Sequence, residues 1–279
     1  MDWLFPPFDP GRRRRSRRYR FRRLPLRVIL PNVVTLLALC SGLTAIRMAL
    51  ESRFGWAIAA ILLAALLDAV DGRVARLLKG TSRFGAELDS LADFVNFGVA
   101  PAIILYIWLL NEARGLGWIV VLIFAIAAAL RLARFNVSLD DGADRRPWQV
   151  DFFVGMPAPA GALTVLLPVY LALLGLIPAD VYIVVPVILH ILFTAFMMVS
   201  NLPTYSGKRI GARVHRNVVL PLLVAVVMTV ALVVSYPFVM LSLGVLAYLV
   251  TLPVAWHDYR RRMARDTEKA AGKAKGKGS

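Results

Sequence analysis

The sequence predicts an all-α fold, a polytopic transmembrane helical bundle of about eight spans with both termini cytoplasmic, and three observations lead there. Of the 279 residues, 59% are hydrophobic and mean hydropathy is +0.67, against about 45–50% apolar residues in a soluble domain. Lys and Arg number 33 against 17 Asp and Glu, a formal charge of +16, and the cations gather in the turns. Apolar runs recur at the length that a helix needs to cross a bilayer, about 20 residues. A soluble globular domain and intrinsic disorder are excluded. The single cysteine, Cys40, excludes a disulfide scaffold and a Cys-based zinc site.

The first span is expected over Pro31 to Leu50 and the second over Phe54 to Leu78, with Asp68 and Asp71 in its later half. The third, Phe84 to Leu110, carries Asp89 and Asp93, and the fourth runs from Trp118 to Asn136. A fifth starts near Pro157, a sixth covers Val181 to Ser200, and the last two divide near Ser235-Tyr-Pro237. Cytoplasmic loops carry excess Lys and Arg. Arg12 to Arg23, Lys79 and Arg83, Arg145 and Arg146, Lys208 to Arg216 and the tail from Arg260 therefore face inward. The chain divides into a basic cytoplasmic arm (1–27), a transmembrane domain (28–257) and a basic disordered tail (258–279). The arm reads as a topology determinant and an anchor for anionic membrane lipids, with no nucleic-acid role. The expected location is the cell (inner) membrane, multi-pass, with the polar site on the cytoplasmic side.

Carboxylates inside spans are costly and mark functional sites. At about 100° per residue, Asp68, Asp71, Gly72 and Ala75 fall on one stripe with Arg76 at its margin. Gly85, Asp89 and Asp93 form a stripe on the next helix. A short loop makes the two helices antiparallel neighbours, so all four carboxylates converge at one depth. Like charges so placed need cations, and an oxygen-only donor set favours Mg²⁺ or Mn²⁺. Two divalent ions would balance four negative charges and form the clamp used in displacement at phosphorus. Gly72, Ala75 and Gly85 leave room for a bulky ligand, Arg76 offers a cation to its phosphates, and Ser82 can cap the third helix or donate to a phosphate. Acids facing a bundle interior also line cation transporters, and that is the competing reading.

The spacing Asp68-x-x-Asp71-Gly72-x-x-Ala75-Arg76, then eight residues, Gly85-x-x-x-Asp89-x-x-x-Asp93 resembles the signature of the CDP-alcohol phosphotransferase family of integral-membrane enzymes. The resemblance implies a di-metal site of Asp68, Asp71, Asp89 and Asp93, with Asp93 also the general base. It implies contacts to CDP-diacylglycerol at Gly72, Ala75, Arg76, Ser82 and Gly85. Asn32 and Thr35 are added because the family tends to place nucleotide contacts there; a helix N-cap and first turn is the other reading of those two. The stretch Phe84 to Pro101, with Leu130-Arg-Leu-Ala-Arg-Phe-Asn136 and Gly155-Met-Pro-Ala-Pro-Ala160, is similar to the bacterial phosphatidylserine synthase branch. Two positions depart from that branch, Asn96 where Ser is usual and Met156 where Leu is usual.

That branch implies transfer of a phosphatidyl group from CDP-diacylglycerol to L-serine. Serine brings a carboxylate, for which Arg131 and Arg134, at i and i+3 on the fourth helix, are candidates, with Asn136 as a polar partner. Glycerol 3-phosphate, choline or inositol remain alternative acceptors. A homodimer is a further possibility that the resemblance raises, without a locatable interface. His190, alone in mid-span, is expected to bond helix to helix rather than bind a ligand.

Overall fold

The computed structural model describes residues 26–78, 82–140, 152–178, 180–205 and 216–275. The arm with Arg12 to Arg23, residues 79–81 with Lys79, the segment with Arg145 and Arg146, and most of the basic segment from Lys208 lie outside the described residues. Helices dominate: α1 (Leu26–Leu50), α2 (Phe54–Leu77), α3 (Arg83–Asp93), α4 (Ala100–Trp108), α5 (Arg114–Asp140), α6 (Ala158–Val165), α7 (Leu167–Leu173), α8 (Val184–Val199), α9 (Arg216–Ser235) and α10 (Pro237–Lys275). Among the described residues, six helices or helix runs are long and apolar enough to cross a membrane, and two shorter apolar ones, Ala158–Leu173 and Leu223–Ser235, stand where the fifth and seventh spans are expected. The chain is a multi-pass helical bundle.

Small residues set the closest packing. Ala38, Ala45 and Ala49 on α1 and Ala57 and Ala64 on α2 are buried, at spacings that put each set on one face. In lipid, where burial of apolar side chains between helices brings little gain, such faces let backbones approach. Ser41 Oγ donates across the seam to the Ala60 carbonyl at 2.8 Å. The central core is larger in grain, with Phe97, Phe124, Ile58, Ile104 and Tyr170 fully buried. Leu36, Leu63, Ile126 and Phe196 project outward, as helices facing acyl chains require.

Two departures from straight helix fall at prolines. The expected third span is not uniform: α3 and α4 are joined by a π-helical turn, Phe94–Val99, in which the Ala100 N–H bonds the Val95 carbonyl. Pro101 has no N–H to return to residue 97, which removes a rung at that point and favours the wider turn. Pro168 likewise separates α6 from α7 and leaves the Thr164 carbonyl without its helical partner. His190 Nε2 lies 2.8 Å from that carbonyl and donates to it, tying α8 to α6. His190 is thus a helix-to-helix link.

Two further features differ from the sequence expectation. A two-stranded antiparallel ribbon, β1 (Phe152–Val154) with β2 (Pro203–Tyr205), pairs Phe153 with Thr204. Gly155 follows β1 with φ of 75°, in the left-handed region, and its N–H bonds the Leu202 carbonyl. And where a disordered tail is expected from residue 258, α10 continues to Lys275. Its Ala, Lys, Arg and Glu residues are strong helix formers, and Arg262 pairs with Asp258 at i, i+4, 2.9 Å apart.

Candidate active site

The carboxylates converge as the spacing predicts. One oxygen from each of Asp68, Asp71 and Asp89 lies within 4.8 Å of the others, and the Asp93 carboxyl group lies against that of Asp68. Asp71 is buried at 4% exposure, and Asp68, Asp89 and Asp93 are half-buried. Asp89 Oδ1 is enclosed with no hydrogen-bond partner. No cation of the protein pairs with any of the four among the described residues. Three convergent carboxylates, an unpartnered buried carboxylate oxygen and an all-oxygen donor set fit a hard divalent cation.

Thr35 has a different position from a simple nucleotide contact. Its hydroxyl is buried, 2.7 Å from Asp71 Oδ2 and 3.1 Å from the Pro31 carbonyl, and donates to the nearer carboxylate. Such a bond fixes the rotamer of an acid that would hold a metal. Ser82 is the N-cap of α3, accepting from the Gly85 N–H at 3.0 Å. Asn32 reaches the same spot from α1. A Cβ on Gly85 would stand 2.8 Å from Asn32 Oδ1 and 3.1 Å from Ser82 Oγ, so glycine there keeps a small polar cradle open. Gly72 has open space where a side chain would project. Arg76, exposed, folds its Nε back onto the Gly72 carbonyl at 3.0 Å, beside the half-buried Ala75. The acids, Asn32, Thr35, Gly72, Ala75, Arg76, Ser82 and Gly85 thus share the end of the bundle where α2 and α3 meet.

The α5 residues form a second polar cluster at this end. Arg131 is 6% exposed, donates through Nε to the Met156 carbonyl at 3.0 Å and stacks on Phe135. Arg134 reaches Asn201 Oδ1 at 2.9 Å and the Ser200 carbonyl at 3.4 Å. Neither guanidinium has a carboxylate partner among the described residues. Asn136 is engaged differently: its Nδ2 donates to Ser90 Oγ at 2.9 Å, which fastens α5 to α3 next to Asp89.

Asn96, one of the two positions that depart from the branch, has a structural setting that the sequence does not show. Within the π-helical turn, it is fully buried with neither amide atom partnered, and its Oδ1 occupies the space that a Cβ on Gly42 would need. The sequence signal was Pro101, which sits inside an apparently continuous span.

Comparison with known proteins agrees with this geometry. Residues 28–199 match the family described as CDP-alcohol phosphatidyltransferase, and residues 217–253 match CDP-alcohol phosphatidyltransferase 2. The chain is 41% identical over 235 residues to the CDP-diacylglycerol–serine O-phosphatidyltransferase of Mycobacterium leprae, covering 83% of this chain and 76% of that one. The protein of the same name from Mycobacterium tuberculosis strain CDC 1551 is 41% identical over 83% of this chain and 79% of its own. An archaetidylserine synthase of Methanothermobacter thermautotrophicus is 34% identical over 50% of this chain and 56% of its own. With the family match covering more than half its length and the acid signature folded into one site, the chain belongs to the CDP-alcohol phosphatidyltransferase family.

Proposed function

We propose that the protein transfers the phosphatidyl group of CDP-diacylglycerol to L-serine, giving phosphatidylserine and CMP. The observation that carries this reading is the pairing of a convergent acid cluster with two arginines that lack carboxylate partners among the described residues, at the same end of the bundle. The relatives' names support serine as acceptor.

Asp68, Asp71, Asp89 and Asp93 would hold two divalent ions, Mg²⁺ or Mn²⁺. When bound, such ions neutralise phosphate oxygens and stabilise a phosphate leaving group. The chain's own residues do the rest. Asn32, Ser82, Gly85 and Gly72 leave a polar, uncrowded cradle for the CDP head, and Arg76 stands at its margin for the pyrophosphate. Thr35 holds Asp71 in place. Arg131 and Arg134, braced on the Met156 and Ser200 carbonyls, receive the serine carboxylate. Asp93 takes the proton from the serine hydroxyl as its oxygen attacks the phosphorus on the lipid side; the new O–P bond forms, the bond to CMP breaks, and CMP leaves with the electron pair. Asn136 acts by holding α5 against α3 and not by touching serine.

The positive-inside distribution of Lys and Arg supports a cytoplasmic face of the cell membrane for this end of the bundle. There a substrate that is half lipid meets one that is soluble. The test is CMP release from CDP-diacylglycerol by the reconstituted protein, with serine, glycerol 3-phosphate, inositol and choline offered separately, with metal and with chelator. Release with serine alone, abolished by chelator, is the expected result. Release with another acceptor would keep the catalytic site and overturn the serine assignment, and no release with any would return the acids to an ion pathway.

A further inference from the structure

A cavity of about 420 Å³ opens between α8 and α10 at the acid-bearing end. Met156, Met197 and Thr204 form its buried floor, while Phe193 and Trp256, 45% and 39% exposed, stand at its rim. The lining is almost wholly apolar, and two of its walls belong to membrane-spanning helices, so hydrocarbon is the medium that reaches it. An apolar cavity of this size excludes water and gains by taking up methylenes. At the mouth, the Arg260 guanidinium lies 3.9 Å over the ring of Trp256, which places a fixed positive charge beside an interfacial aromatic. Apolar groove and terminal cation match the two ends of an anionic phospholipid.

The groove is also joined to the arginine pair. Met156 and Ser200 line it, and their backbone oxygens accept from Arg131 and Arg134. Thr204, on its floor, donates to the Gly155 carbonyl and so braces the turn that presents Met156. A chain seated in the groove would press on the segments that aim both guanidinium groups.

We propose that the α8–α10 groove is a binding site for one acyl chain of a resident anionic membrane phospholipid, distinct from the substrate, whose phosphate meets Arg260 and whose occupancy steadies Arg131 and Arg134. The binding itself stands on the groove and Arg260. Its effect on the arginines rests on the reading of Arg131 and Arg134 as acceptor contacts.

The experiment uses the full chain in nanodiscs of phosphatidylcholine with or without phosphatidylglycerol, with native mass spectrometry to count retained lipids. Wild-type protein is expected to retain one phosphatidylglycerol, Leu249→Trp, which fills the groove, none, and Arg260→Gln to bind it about fivefold more weakly, the worth of one cation near a charged leaflet. Where Leu249→Trp fails to melt cooperatively, Leu252→Phe replaces it. In the same preparations the serine KM should rise about threefold or more without phosphatidylglycerol while the CDP-diacylglycerol KM stays within about twofold. Equal retention by the filled variant, equal retention of phosphatidylcholine, or displacement of the bound lipid by CDP-diacylglycerol would overturn the site as stated. Lipid loss that leaves the serine KM unmoved would overturn its link to the arginines. Because lipid retention is counted without turnover, it fails or stands independently of the proposed reaction.

Discussion

At one end of the bundle, α2 and α3 gather four carboxylates that pair with no cation among the described residues, whereas α5 sets two arginines against backbone carbonyls of the α6 and α8 approaches. The acid cluster is held in place by its surroundings: the α1–α2 alanine seam, the Ser82 cap and the single Thr35 bond. Like charges so close repel one another. The arginine cluster is itself part of the packing, because Arg131 ties the Met156 turn and Arg134 ties the end of α8. The acids therefore gain no support from one another, whereas the arginines contribute to the packing, and in the proposed function both clusters face substrate.

The contrast can be broken by substitution. Thr35→Val removes the bond that orients Asp71 and should weaken metal affinity about 10- to 100-fold, read by manganese titration of turnover, while the melting temperature in chelator changes little. Gly155→Ala acts the other way. It forces a side chain into φ of 75° and puts its Cβ 2.7 Å from the Ser200 carbonyl oxygen, so about 2 kcal/mol of stability should be lost, visible in the melting curve with or without metal. Arg134→Ala should raise the serine KM about tenfold and CDP-diacylglycerol KM much less; a larger effect on the lipid substrate would move Arg134 to the nucleotide side. Smallest of all, His190→Phe should cost about 0.6 kcal/mol, the usual worth of an interhelical hydrogen bond in lipid, with both KM values unmoved.

Much of this was legible before the structure because the signals were periodic. Asp68 and Asp71, then Gly85, Asp89 and Asp93, sit at helical spacings on two helices that are close neighbours in the chain, and spacing with the short separation brings them together. Ser82 and Gly72 were equally readable, one as a cap and the other as open backbone. What was not legible depends on contacts between segments distant in the chain. Thr35 gives no hint in sequence that its hydroxyl would find Asp71, 36 residues on. Asn136 lies beside the arginines in sequence, yet the turn of the helix delivers it to Ser90. The β1–β2 ribbon joins two three-residue segments about 50 positions apart, too short to show an alternating pattern. The π-helical turn was hidden because apolar character continues through it, although Pro101 marks the missing rung.

The proposed chemistry turns on Asp93 accepting the proton of the attacking hydroxyl within the acid cluster. The most direct measurement is serine-dependent CMP release by Asp93→Asn beside wild type, in the same membranes and with saturating metal. Loss of about 10³-fold in turnover, with the melting curve and CDP-diacylglycerol binding largely retained, is the predicted result. Turnover within about tenfold of wild type would contradict it and remove Asp93 as the base.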